Sequence, residues 1–274
     1  MFIIDKRGTM QQFKKQTISS IINAKSNRKL SMITAYDALF AKLFDGEVDF
    51  ILVGDSLNMS FGGKNDTLSI TMEQMIYHTK AVCNGAKNTF IICDMPFGTY
   101  TNEKIAFENA MAVYQQTSAD AVKIEGGKNK AHIVKYLTDN SIAVVGHIGL
   151  MPQNFRVEGG YKIKGKDSQN IQSLIEDAKA IEAAGAFCIV LEGVKPDAAK
   201  LITEAVGVPI IGIGAGIDVD GQVLVWSDML GFFDEFKPKF VRKYLNGAQL
   251  VKKSVQEYVR DVNDKTFPSD EEIY

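Results

Sequence analysis

Polar and ionisable residues stand where short apolar runs of this 274-residue chain stop: Asp37, Asp55 with Ser56, Asp94, Lys123 with Glu125, His147, Glu192, and the glycines Gly212, Gly214 and Gly216. Asp55, Asp94 and Glu125 follow three successive runs, and brought together they would repel one another unless protonated or bridged by a cation. A hard divalent ion is the simplest relief. Oxygen ligands without paired His or Cys favour magnesium or manganese over zinc. Lys123 and Glu125 are two apart, which on a strand points both side chains to one face. The Lys123 ammonium is then placed to hold a substrate carboxylate, although a strand-end lysine also fits a Schiff-base aldolase. Glu192 lies away from the trio, behind the apolar run Ile189-Val190-Leu191, and is the candidate base if a dry setting raises its pKa. The alternative for Glu192 is a structural ion pair.

The remaining candidates divide between chemistry and scaffold. Asp37, just before Ala38-Leu39-Phe40, reads as a helix cap. His147, within Gly146-His147-Ile148-Gly149, is open between a supporting hydrogen-bonding group, a pH-responsive one and a satisfied core histidine. His78 and His132 fall on predicted helices and read as surface residues. Gly212-Ile213-Gly214-Ala215-Gly216 resembles a dinucleotide fingerprint only superficially, because the full spacing and a following helix are missing. Phe61-Gly62-Gly63-Lys64 reads as a mobile strand-to-helix loop rather than a phosphate loop.

These residues meet only if the runs end in one place. Eight β-rich runs recur at 31–36, 50–55, 89–94, 121–125, 142–147, 187–192, 209–214 and 223–227, most with a helical pattern between them. Predicted helices cover 71–85, opened by a Thr71/Gln74 capping pair, 102–118, 129–139, 168–184, ending at Gly185, 197–206 and 239–263. Between Gly216 and Val223 there is scarcely room for a helix. An open doubly wound sheet is conceivable, but eight strand–helix units over about 230 residues match the α/β (β/α)8 TIM barrel, whose strand C-termini gather at one mouth. No linker divides the chain, so 1–274 reads as one barrel domain. An amphipathic helical extension at 10–25 would close the barrel bottom or reach a neighbouring subunit, and a polar tail follows at 265–274. The first nine residues are set aside as a leader.

Composition narrows the partners. Lys and Arg total 31 against 33 Asp and Glu, a net charge of -2 without long runs of one sign, so nucleic acid and anionic membranes are not expected. Apolar runs are interrupted too often to span a bilayer, and Asp5-Lys6-Arg7 leaves no room for a signal-peptide core. Cys83, Cys93 and Cys188 are widely spaced and read as reduced, buried thiols of a cytoplasmic protein.

Six stretches in order carry a resemblance: Thr34-Ala35-Tyr36-Asp37, Leu52-Val53-Gly54-Asp55-Ser56, Asp94-Met95-Pro96-Phe97, Val122-Lys123-Ile124-Glu125-Gly126-Gly127, Gly146-His147-Ile148-Gly149-Leu150-Met151-Pro152-Gln153, and Gly212-Ile213-Gly214-Ala215-Gly216 followed by Asp220-Gly221-Gln222. From about residue 17 to about 260 the chain resembles the ketopantoate hydroxymethyltransferase family. The resemblance implies a magnesium-dependent barrel of the phosphoenolpyruvate/pyruvate-binding type that makes 2-dehydropantoate for pantothenate biosynthesis. The hydroxymethyl group would come from 5,10-methylenetetrahydrofolate and pass to 3-methyl-2-oxobutanoate through a magnesium-stabilised enolate. It further implies metal residues at Asp55, Asp94 and Glu125, 2-oxo acid contacts at Asp55, Ser56, Asp94 and Lys123, and a proton acceptor at Glu192. A homodecamer of two five-membered rings is also implied. Gly98 and Gly193 depart from the Met and Cys more common in the family, which touches substrate packing rather than chemistry. A magnesium-dependent aldolase or C–C lyase acting on another 2-oxo acid, and a silent metabolite-binding barrel, are the competing expectations.

Overall fold

The computed structural model of the chain describes residues 2–4, 10–12, 15–233 and 238–274. Eight parallel strands form the barrel: β1 (Leu30–Thr34), β2 (Phe50–Val53), β3 (Phe90–Asp94), β4 (Ala121–Glu125), β5 (Val144–Gly149), β6 (Cys188–Glu192), β7 (Ile210–Ile213) and β8 (Gly221–Leu224). They pair in chain order and β8 closes on β1, Gly221 lying opposite Leu30 and also opposite Ile211 of β7. The expected (β/α)8 TIM barrel is therefore the fold. Most of the predicted helices surround it, as α4 (Met72–Gly85), α5 (Glu103–Gln116), α6 (Ala131–Asp139), α8 (Ser168–Ala183) and α9 (Pro196–Glu204). Shorter pieces are α2 (Ala38–Phe44), α3 (Leu57–Ser60) and α7 (Phe155–Glu158). The Thr71/Gln74 capping box opens α4, and Asp37 caps α2 by accepting from the backbone N–H groups of Leu39 and Phe40. No helix separates β7 from β8, so the segment after Gly216 is a loop.

Alternation along the strands decides what fills the interior. Phe50 and Leu52, Phe90 and Ile92, Ala121, Val145, Cys188 and Val190, Ile211 and Val223 belong to one buried apolar cluster. Continuing the same period of two towards the strand ends reaches Asp94, Lys123 and Glu125, His147, and Glu192. The residues that pack the barrel below thus share a strand face with the ionisable group above. At the other end of that cluster lie Ile21 and Ala24 of α1 (Ile18–Ala24), which close the barrel bottom. Lys25 continues this plug with a 2.7 Å ion pair to Asp220.

Three boundaries differ from the sequence reading, each for a local reason. The expected helix at 10–25 is confined to α1, because Thr17 and Ser20 form a capping box that starts it there, and Met10–Gln12 instead pairs antiparallel with Phe2–Ile4. Residues 13 and 14, and most of the segment set aside as a leader, lie outside the described residues. The eighth strand is Gly221–Leu224 rather than 223–227, since Trp226 opens the short helix α10 (Trp226–Met229).

The chain forms two compact units, Met1–Leu224 and Val225–Tyr274. The second unit holds α10 and α11 (Gly247–Asn263). The predicted 239–263 helix begins only at Gly247, because the backbone N–H groups of Tyr244, Gly247 and Ala248 donate to Met229, Leu230 and Gly231. Among the described residues, no helix is long and apolar enough to cross a membrane. All three cysteines are free and buried, and burial pushes the Cys93 and Cys188 thiols up to about 12.

Candidate active site

Strand register brings the predicted residues together. Asp94 at the end of β3 lies opposite Lys123, and Glu125 at the end of β4 lies opposite His147. Lys123 Nζ is 2.9 Å from Asp94 Oδ1 and 3.1 Å from His147 Nδ1. Asp55 follows β2, and its backbone N–H donates to Asp94 Oδ2 at 3.0 Å. A β-carbon on Gly54 would lie 2.9 Å from Ser56 Oγ, so a larger residue there would displace that hydroxyl. Ser56 Oγ is in turn 2.8 Å from Tyr36 Oη. Glu192, the most open of the four acids with its side chain 22% exposed, stands across the mouth, its Oε2 3.4 Å from His147 Nε2.

Electrostatics follow from this crowding. Burial and then the neighbouring Asp94 charge push Asp55 up to about 7. Burial raises Glu125 well above the ordinary carboxylate range, and it carries Glu192 up to about 7 against the opposing pull of Lys123. Burial alone would lower the Lys123 ammonium, but Asp94, Glu125 and Asp55 outweigh it and raise it. Lys123 therefore stays charged. His147 is driven the other way, first by burial and then by Lys123, so its ring is neutral. With Lys123 Nζ donating to Nδ1, the ring proton belongs on Nε2, facing Glu192. Of the three readings left open by the sequence, this geometry fits the supporting hydrogen-bonding group.

The acids outnumber the one lysine buried among them, and Glu125 Oε1 lacks a hydrogen-bond donor. Asp94 Oδ1 has the Lys123 charge beside it, while Glu125 Oε1 has none so close. Among the described residues, no three His, Cys, Asp or Glu side chains close by themselves on one metal position. The oxygen donors nevertheless fit a magnesium-like ion, which is commonly held by one or two carboxylates with water and substrate oxygens completing its shell.

Two contributors escaped the sequence reading. Gln153, in the turn Pro152–Asn154 after β5, donates from Nε2 to Asp55 Oδ2 at 2.9 Å and to the Met95 carbonyl at 3.1 Å, and from its backbone N–H to Glu125 Oε2 at 3.1 Å. Tyr100 donates its hydroxyl to Gln153 Oε1. The only available signal was that Gln153 ends a motif at the mouth.

Other candidates stay outside the cluster. His78 is half-buried rather than a surface residue, its Nδ1 2.7 Å from the Tyr36 carbonyl, because α4 packs it under the loop carrying Phe61. His132 is exposed, 3.9 Å from Glu103. Gly214 and Gly216 have φ of +60° and +83°, and no helix N-terminus follows them, so they serve the turn after β7. Phe61-Gly62-Gly63-Lys64 likewise follows the single turn α3 instead of opening a helix.

The family described as ketopantoate hydroxymethyltransferase matches residues 15–270. The 3-methyl-2-oxobutanoate hydroxymethyltransferase of Aliarcobacter butzleri (strain RM4018) is 67% identical over 262 residues, 96% of this chain and 97% of that protein. Its counterpart in Sulfurimonas denitrificans (strain ATCC 33889 / DSM 1251) is 62% identical over 261 residues, 95% and 99% of the two chains. In fold, the chain resembles the crystal structure of 2,3-dimethylmalate lyase, a PEP mutase/isocitrate lyase superfamily member, with a TM-score of 0.59 at 14% identity over 94% of this chain and 91% of that one. A match across almost the whole chain, with relatives this similar over nearly their full length, leaves one assignment for a barrel whose ionisable residues meet at its mouth: the chain belongs to the ketopantoate hydroxymethyltransferase family of transferases.

Proposed function

We propose that this chain transfers a hydroxymethyl group from 5,10-methylenetetrahydrofolate to 3-methyl-2-oxobutanoate, giving 2-dehydropantoate. The observation that carries the reading is the buried meeting of Asp55, Asp94, Glu125 and Lys123 opposite Glu192 at the mouth of a barrel from this family. Lys123 has three ammonium hydrogens, of which Asp94 and His147 take two, leaving one for the carboxylate of the 2-oxo acid. Asp55, Asp94 and Glu125 are the residues to hold magnesium, and Ser56 lines the same turn as Asp55. Bound there, the cation would supply positive charge beside the oxygens of the 2-oxo acid while negative charge develops on them. Glu192 accepts the proton from C3, and the electron pair left on C3 forms the bond to the folate-borne methylene carbon. That carbon carries two bonds to folate nitrogen: one breaks as the carbon–carbon bond forms, the other as water provides the hydroxyl oxygen, and the two nitrogens take up the C3 proton and one proton of the water. Product formation with and without the folate tests the reading. Transfer only with folate is expected, whereas cleavage of other 2-oxo acids without it would support an aldolase or lyase instead.

The charged state of Lys123 argues against a Schiff-base role. Borohydride added with the 2-oxo acid is expected to leave Lys123 unmodified, as read by mass spectrometry. Lys123→Ala is expected to weaken 2-oxo acid binding chiefly. Reductive trapping on Lys123 would overturn this assignment.

A homo-oligomer, with the decamer as its proposed form, is supported by the family and by α11. Val251, Val255, Tyr258 and Val262 repeat at helical spacing and are all exposed. Sedimentation at micromolar concentration is expected to give an assembly several times the 30.2 kDa chain. A monomer would contradict it.

A further inference from the structure

We infer that Gln153, itself held by Tyr100, is the positioning residue that sets the orientations of Asp55 and Glu125, an inference that rests on the carboxylate site proposed above. Gln153 is 6% exposed and touches the products of three strand ends: Asp55 after β2, Met95 after β3 and Glu125 on β4. Its amide can face only one way. The Met95 carbonyl is solely an acceptor, and Asp55 when ionised is too, so the NH2 end must point at them. The carbonyl end then meets Tyr100, whose hydroxyl is the donor. A phenol keeps its proton at neutral pH, so it can serve as that donor.

The consequence is a division of labour among carboxylate oxygens. The Gln153 backbone N–H takes Glu125 Oε2, while Glu125 Oε1 remains without a hydrogen bond. Its side-chain amide takes Asp55 Oδ2. One residue thereby fixes two acids from different strands, which would otherwise turn away from each other under mutual repulsion. A glutamate at 153 would set a carboxylate against Asp55 and a carbonyl; glutamine supplies donors on one side and an acceptor on the other.

The test uses Gln153→Met, which keeps the length and apolar burial but removes the amide, and the milder Tyr100→Phe, which removes one hydroxyl. Mn2+ is the probe, with binding followed by calorimetry and exchange of the C3 proton of 3-methyl-2-oxobutanoate followed by NMR. Gln153→Met is expected to weaken Mn2+ binding about 10- to 100-fold, the usual effect of losing a partner behind a metal ligand. At saturating Mn2+ it should lower the maximal exchange rate more than it raises the KM for the 2-oxo acid. Because Tyr100 acts through Gln153, the double variant should be no worse than Gln153→Met alone. Wild-type Mn2+ affinity and exchange in Gln153→Met, or fully additive losses in the double variant, would overturn the inference. A crystal structure of metal-free Gln153→Met decides it independently of function: a reoriented Asp55 carboxylate supports it, and an unmoved one defeats it. Wild-type protein that neither binds Mn2+ nor exchanges the proton would count against the proposed function, and the variant's structure would still decide the positioning role.

Discussion

Asp94→Asn is expected to abolish turnover while leaving the barrel folded. Asp94 is the hub of the cluster, accepting the Asp55 backbone N–H on one oxygen and pairing with Lys123 through the other. Removing a partner from a buried ion pair usually costs several kcal/mol because an uncompensated charge is left behind. Here that penalty is softened. The Asp94 charge is among the causes that push Asp55 up to about 7, so neutralising Asp94 lets Asp55 ionise more readily beside the same lysine. Charge remains balanced around Lys123, but one candidate metal oxygen and the grip on the lysine are lost together. Turnover should fall by more than about 10²-fold, with divalent-ion binding weakened in parallel. Circular dichroism should remain that of the folded barrel, because the apolar strand residues behind the site are untouched. Full activity of the wild-type protein with a chelator present would sink the metal assignment.

Glu192→Gln carries the second large effect. The substitution keeps the size of the side chain but removes the proton acceptor. Exchange at C3 should drop by a factor on the order of 10² to 10⁴, the usual worth of a general base, with 2-oxo acid binding largely retained. The pH dependence has a defined sign. Burial pushes Glu192 up to about 7, Lys123 opposes that shift, and the facing His147 is neutral, so the carboxylate becomes competent only as pH rises through that region. Wild-type exchange should therefore rise with pH through about 7 and then level. In Glu192→Gln the residual exchange should lose this dependence. Unchanged exchange in the variant would move the base elsewhere, and His147 would be the next residue to replace.

What the sequence made legible was whatever depends on period and on neighbours in the chain. The spacing of Lys123 and Glu125 places both on the inward face of β4, and the strands preceding Asp94 and Glu192 obey the same alternation. Thr71 with Gln74, and Asp37 before its helix, mark their caps in a few residues. Gln153 and Tyr100 carry no such mark. The two lie 53 positions apart and Gln153 lies 98 from Asp55, and a loop glutamine gains its role only when the closed barrel brings those segments together. The start of α11 was missed for a related reason. Asn246-Gly247 is a turn signal in the chain, but only the fold shows that the backbone donors of Tyr244, Gly247 and Ala248 are taken by Met229, Leu230 and Gly231.

Removal of the C3 proton by Glu192, at a carboxylate site that requires a divalent ion, is the step on which the proposed function rests. Its most direct measurement is NMR of deuterium exchange at C3 of 3-methyl-2-oxobutanoate, with magnesium present and folate omitted. Rapid exchange by the wild-type protein is expected, arrested by a chelator and lowered on the order of 10² to 10⁴ in Glu192→Gln. No wild-type exchange, or exchange that survives both the chelator and the substitution, would contradict it.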